Sequence, residues 1–266
     1  MHKIKLDDNI VRTDLILEQN IDMKDVFNDT INNIKVMKNE FENNHYTTIY
    51  FDDITDSDIY NELEKVFISE FKKYIDINSK DIILVIGLGN NKSTPDSLGT
   101  LTIDNIIPTR YLFELGEVEE GYSNVSVYKP DVIGNTGIES INIINGIVKD
   151  IKPTKIIVID SLKANSLDRL TKTIQITDSG IHPGSGINNN RGEISNKTTN
   201  SKVIAIGIPT VVDIKTIFNE KNVDINNSFI VTPTNIDFVI DKLSILLGNS
   251  LNKIFHKNFN RQKNIQ

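Results

Sequence analysis

Hydrophobic positions along the chain fall into two kinds of pattern. At residues 47–51, β-branched and aromatic side chains predict a strand. Polar Thr55, Asp56, Ser57 and Asp58 then offer helix caps. Behind them Ile59, Leu63, Val66, Phe67, Phe71 and Tyr74 recur at three- and four-residue spacing, the period of an amphipathic helix. Three short apolar runs come next, each stopped by turn residues. They are 82–86 before Gly87-Leu88-Gly89-Asn90, 156–159 before Asp160-Ser161, and 203–206 before Gly207-Ile208-Pro209-Thr210. Unbroken runs of this kind suit strands buried on both faces, as in a parallel sheet covered by helices. Between the first two runs, Thr136-Gly137-Ile138-Glu139 has a capping-box pattern, with a stripe of Ile138, Ile141, Ile144, Val148 and Ile151 behind it. A further helix is expected near Thr232-Pro233, with proline at the favoured first position and apolar residues from Ile236 to Ile254 behind it. Alternating strands and helices predict an α/β fold, doubly wound. Residues 1–14 carry no core pattern and read as a loosely held leader ahead of a single domain, 15–266.

Composition narrows the chemistry. The 266 residues hold no cysteine, which removes disulfides, thiolate metal sites and cysteine nucleophiles. The formal net charge is −7 and no Lys/Arg cluster stands out, so nucleic acid is not expected as a direct partner. No apolar stretch resembles a secretory signal or a membrane span, and a soluble, cytoplasmic protein is expected.

In doubly wound sheets, ligands gather beyond the carboxyl ends of the strands, so the residues after each run carry the interest. Gly87-Leu88-Gly89 lacks the third glycine of a dinucleotide loop, because Lys92 stands in its place; a tight turn is the simpler reading. Asp178-Ser179-Gly180 matches the tripeptide of pepsin-like proteases, but it occurs once in an α/β chain, leaving Asp178 a reserve candidate. His182-Pro183-Gly184-Ser185-Gly186 is a glycine-rich loop whose Pro183 and Ile187 occupy the glycine positions of a nucleophile elbow. The four histidines show no metal-ligand spacing. Asp96 and Asp160 form the sharper pair, each placed just past a buried strand. Either could instead cap a helix or form a turn. If their strands are neighbours, both carboxylates face one crevice. Two close carboxyls cannot both ionise cheaply. One then takes a proton from water while the other donates to a scissile carbonyl, a general acid–base hydrolysis without metal or cofactor.

These segments resemble the germination (spore) protease family. The likeness runs through Gly87-Leu88-Gly89-Asn90, Thr94-Pro95-Asp96-Ser97-Leu98-Gly99, Glu119-Glu120-Gly121-Tyr122, Gly134-Asn135-Thr136-Gly137-Ile138-Glu139 and Ile159-Asp160-Ser161-Leu162. It continues from Ile174 to Gly186, from Ala205 to Asp213, and in Val231-Thr232-Pro233. The resemblance implies a three-layer α/β/α sandwich with a mostly parallel sheet, similar to hydrogenase-maturation peptidases. It implies an atypical aspartic endopeptidase, without a cofactor, acting on small acid-soluble spore proteins in the spore core. It also implies a homotetrameric zymogen cut between Asp14 and Leu15, with Asp96 and Asp160 as the essential aspartates. His182, Asp178, Thr210, Asp213 and Lys163 would line the site. A basic crevice residue, from Lys163, Arg110 and Arg169, would suit cleavage beside acidic residues. One departure is plain: the long helical insertion of the family is replaced between Asp213 and Val231 by a short Asn-rich segment. Two other readings are a metal-guided maturation peptidase, with Asp96, Asp160 and His182 around nickel, and a catalytically degenerate binding or regulatory relative.

Overall fold

Local chain reversals and long crossovers build two halves of one sheet. The computed structural model describes residues 24–164, 166–181, 192–219 and 229–259. Among these, strands β1 (Lys24–Ile31), β2 (Ile34–Phe41) and β3 (Asn44–Tyr50) form consecutive hairpins. Their two-residue turns, Asn32-Asn33 and Glu42-Asn43, all have positive φ, the conformation that matches the twist of the strands they join. The other half contains β4 (Ile82–Gly87), β5 (Asn124–Tyr128), β6 (Lys155–Ala164) and β8 (Lys202–Asp213), paired in parallel. Strand β7 (Thr173–Thr177) runs antiparallel to both β3 and β8 and joins the halves. The short β9 (Ile230–Val231) pairs with the end of β8, and the main order is β1-β2-β3-β7-β8-β6-β4-β5.

Helices cover both faces, giving the expected three-layer α/β/α class with a parallel centre. Helix α1 (Ser57–Phe71) starts at Asp56, whose carboxylate accepts the Asp58 and Ile59 N–H groups. It packs on one face with α2 (Leu98–Asp104) and α8 (Ile236–Phe255), burying Phe67, Phe71, Leu243 and Leu247 against Ile83, Ile157 and Ile204. Helix α5 (Ser140–Ile151) covers the other, with Ile144 against Leu84, Ile156 and Val203. Adjacent residues of one strand thus enter different cores, which explains the unbroken apolar runs. The remaining helices, α3 (Arg110–Leu115), α4 (Ile133–Thr136), α6 (Asn196–Thr199) and α7 (Ile214–Asn219), are short.

Three sequence expectations shift. The runs at 156–159 and 203–206 do not end at Asp160 and Gly207. Beyond β4 the two strands go on pairing with each other, from Lys155 opposite Lys202 to Ala164 opposite Val212, so their turn-forming residues lie inside a ladder. Thr136 belongs to α4 and its hydroxyl accepts the Ile138 N–H, while Glu139 holds the cap position of α5. Pro233 precedes α8 in a turn that returns Ile236 N–H to its carbonyl, and Asn235 is the cap. Among the described residues, no helix is long and apolar enough to cross a membrane.

A buried ion pair closes the amino end of the parallel strands. Lys155 Nζ stands 2.5 Å from Asp81 Oδ2, with both side chains largely hidden. Asp81 also accepts the Asn78 N–H at 2.8 Å and the Thr154 hydroxyl at 2.7 Å. Burial alone would raise this carboxyl, but Lys155, Asn78 and Thr154 together hold it below the usual carboxylate range. Its stabilising effect is therefore complete above the unfolded-state carboxylate pKa and is lost as pH falls through the lower folded value. Asp81→Asn is expected to lower unfolding free energy by about 3 kcal/mol at neutral pH. Urea titrations over a pH series should also give the variant a flatter acid limb. A helix position tests the opposite sign. Gly146, inside α5, has open space where a Cβ would stand, and Gly146→Ala should stabilise by about 0.5–1 kcal/mol in the same titration.

Candidate functional site

The site is framed by the carboxyl ends of β4, β6 and β8. Strand β4 stops at Gly87, where the last β4–β6 pair is Gly87 with Ile159, and Leu88 N–H then donates to Ile159 O at 2.8 Å. Strand β6 continues alone beside β8, leaving a notch in the sheet. The chain after β4 bends back into it because three positions lack a side chain. A Cβ on Gly87 would strike the Gly99 carbonyl; one on Gly99 would strike the carbonyls of Ile159 and Leu88. Gly89, at φ +110°, lies so near the Asp96 carbonyl that only glycine fits, and its Cβ position is 3.4 Å from Asp96 Oδ1.

Asp96 ends a 3₁₀ turn, Thr94–Asp96, that packs against β6, β8 and α8. Its carbonyl accepts Asn90 N–H at 2.7 Å, its N–H donates to Ser93 O at 2.8 Å, and Ser97 takes the cap position of α2. Asn90 is held in turn. Its Oδ1 accepts the Lys92 N–H at 2.9 Å and the Asn135 side-chain N–H at 3.1 Å. The Asn135 amide also donates to Asp131 Oδ1 at 2.8 Å, so the loop before α4 braces the loop that carries Asp96.

Asp160 lies within β6 and is 6% exposed. One of its oxygens accepts the Ser161 N–H at 2.8 Å. Strand alternation sets it on the face of Val158, one residue past the last pairing with β4. Asp160 and the turn holding Asp96 therefore border the same notch, and their strands are direct neighbours.

Other sequence candidates divide by place. Lys163 and Asp213 meet at the same end, Nζ to Oδ2 at 3.4 Å. Thr210 is the extra residue of a β-bulge, since Leu162 pairs with Pro209 and Lys163 with Val211; it is fully buried, and its carbonyl accepts the Thr232 hydroxyl at 2.8 Å. Arg169 stands in the 3₁₀ turn that leads from β6 to β7, also at this end. Asp178 is not brought to the notch. It comes after β7, towards the amino end of β8, and is bound by His45, through its N–H at 2.7 Å and its ring Nδ1 at 2.9 Å. Arg110 lies near the opposite end of the sheet, beside the start of β5, and pairs with Glu114 at 3.0 Å. His182, Asp14 and Leu15 fall outside the described residues. Among the described residues, no group of three or more His, Asp or Glu is placed to hold a metal ion. Of the bracing residues, Asn90 and Asn135 lie inside the quoted motifs but carry no assigned role in the sequence reading, and Asp131 is not singled out at all.

These features define an α/β protein with two acidic residues, Asp96 and Asp160, carried near the carboxyl ends of adjacent parallel strands. Residues 5–225 match the germination protease family, and the chain belongs to that family. A germination protease of Geobacillus sp. is 48% identical over 162 residues, which is 59% of this chain and 44% of that protein. The germination protease of Halalkalibacterium halodurans is 45% identical over 170 residues, 62% of this chain and 46% of that one. The matched stretch thus spans less than half the length of these relatives. Among solved structures, the [NiFe] hydrogenase maturation protease HycI of Thermococcus kodakarensis overlaps with a TM-score of 0.39 at 17% identity, over 71% of this chain and 97% of that one.

The glycine crossing can be tested directly. Gly99→Ala forces a methyl group onto two backbone carbonyls and should cost about 1–3 kcal/mol of stability. Gly134→Ala, where nothing lies within 4 Å, should change the denaturation midpoint little.

Proposed function

We propose that this protein is an aspartic-type endopeptidase, made as a self-processing zymogen, that degrades small acid-soluble spore proteins in the spore core at germination. The observation that carries the reading is the notch itself, bordered by Asp96 from the end of β4 and Asp160 from the neighbouring β6 in a chain of the germination protease family. The two carboxyls share one proton. The ionised member draws a proton from water as it attacks the scissile carbonyl, and the protonated member donates to the carbonyl oxygen. The tetrahedral centre then collapses, the leaving amine takes up a proton, and the carboxyl pair returns to its starting state. Lys163, loosely held by Asp213, supplies positive charge for an acidic substrate residue. Cleavage between Asp14 and Leu15 removes the leader by the same chemistry, and a homotetramer belongs to the same reading.

Asp96→Asn and Asp160→Asn are each expected to lower turnover of a small acid-soluble spore protein by about 10²–10⁴-fold, monitored by gel or mass spectrometry. Neither variant should lose its leader by intact-mass measurement under mildly acidic conditions that shorten the parent chain. Chelators should leave parent activity unchanged. Full activity in Asp160→Asn would falsify the mechanism, and a chelator-sensitive parent would move the assignment to the metal-guided reading.

A further inference from the structure

A cavity of about 500 Å³ lies on the antiparallel wing, away from the notch but on the same rim of the sheet. It is enclosed by the Asn32-Asn33 turn, the end of β3, the start of α1 and the link from β6 to β7. Two backbone hydrogen bonds tie it to the carboxyl end of β8. Phe51 N–H donates to Lys172 O at 3.0 Å, and Thr171 N–H donates to Pro209 O at 2.7 Å. Tyr50, Phe51 and Ile59 give the cavity an apolar wall.

Its charges are unbalanced. Asp52, Asp58, Glu62 and Asp168 line it, against Lys35 and Lys172. Three of these six are engaged locally. Glu62 accepts Lys65 Nζ at 2.6 Å, and Lys35 Nζ stands 5.2 Å from the centre of the Tyr50 ring. Lys172 adds its charge to the two Thr55 hydrogen bonds that hold Asp53 below the usual carboxylate range. Among the described residues, Asp52, Asp58 and Asp168 pair with no cation. An apolar wall below three unpaired carboxylates matches a side chain with a long aliphatic stem and a cationic head.

The distance to the notch is set by the sheet. Asp160 pairs with Gly207, Gly207 with Gln175 and Gln175 with Thr48, and Tyr50 lies two residues further along β3. Three strand spacings and two residues put Tyr50 about 16 Å from Asp160. An extended peptide covers that span in about five residues.

We propose that this cavity is a substrate subsite for a lysine or arginine side chain, about five residues from the scissile bond. The stem lies on Ile59 and Tyr50, and the head sits among Asp52, Asp58 and Asp168. With an acidic substrate residue at Lys163, a basic one here gives the bound segment a single direction along the rim. This inference rests on the reading of the notch as the place of cleavage.

Asp52 and Asp168 are exposed, so their amides can be introduced without disturbing a core. With a small acid-soluble spore protein as substrate, the double variant Asp52→Asn/Asp168→Asn should raise KM about threefold to tenfold, with kcat near the parent value. Asp168→Glu alone should keep the parent KM. An unchanged KM in the double variant overturns the subsite. Substrates with single Lys or Arg residues replaced by Gln locate the occupant. One replacement, about five residues from the cut, should raise KM for the parent and not for the double variant; if none does, the inference falls. Binding is also read without turnover, from amide chemical shifts of the isotope-labelled full chain titrated with the blocked peptide Ala-Ala-Arg-Ala-Ala. Phe51, Ile59 and Asp168 should shift, and the Gln counterpart of the peptide should leave them in place. If the peptide binds there but no spore protein is cut, the reading of the notch falls and the cation subsite stands. If the spore protein is cut while KM and shifts are indifferent to Asp52 and Asp168, this inference falls alone.

Discussion

Close passage of backbone against backbone at the end of β4 is the constraint on which the rest depends. Gly87 and Gly99 meet there, and Gly99 in turn lies on the Ile159 carbonyl, without space for a methyl group. Because the chain can pass this close, α2 begins directly against the end of β4 and the turn holding Asp96 packs beside β6. A side chain at either glycine would lift that turn away from the sheet. The Asn90–Asn135–Asp131 hydrogen bonds then fix the loop laterally, so an acidic residue in an irregular segment gains the definition of one in a strand.

The sheet joins two structural economies. Its parallel centre is almost wholly apolar on both faces, while its antiparallel wing buries polar groups as well. Glu70 shows how the wing tolerates charge. It is fully buried on α1, yet Lys38 of β2 reaches it at 2.9 Å and Lys73 at 2.5 Å. Two cations around one hidden carboxylate keep the helix in register with the hairpins, and such an arrangement would be costly with either lysine missing.

Much of this is legible in the sequence, for identifiable reasons. The runs ending at Ile86, Ile159 and Ile206 read as buried strands because no polar residue interrupts them. The helix behind Asp56 is legible from cap and stripe together. Asp96 and Asp160 stand out because each lies just past such a run, and their strands are indeed adjacent. Legibility fails where tertiary pairing overrides local signals. Gly207, Pro209 and Asp160 look like the ends of strands, but β6 and β8 extend each other through them. The segment Thr173-Ile174-Gln175-Ile176-Thr177 alternates polar and apolar residues, the pattern of a half-solvated strand, yet all five are buried between β3 and β8. No local pattern announces that a polar face will be covered. The hairpins of β1 and β2, built on Asn and Lys rather than on apolar runs, are hidden for the same reason.

Helix α8 bears on how this chain comes together in time. Asn252 accepts the Ile107 N–H at 3.0 Å and donates to Asn105 O at 2.8 Å, a partner 147 residues earlier in the sequence. His256, buried and held below its ordinary pKa by that burial, receives the Ser123 N–H at 3.3 Å. Helix α2, and with it the bend that presents Asp96, is thus clamped by a segment that leaves the ribosome long after the sheet strands around it. A nascent chain would hold that bend unclamped until α8 had been made. In the proposed role, such vectorial lateness doubles as a safeguard for everything nearby.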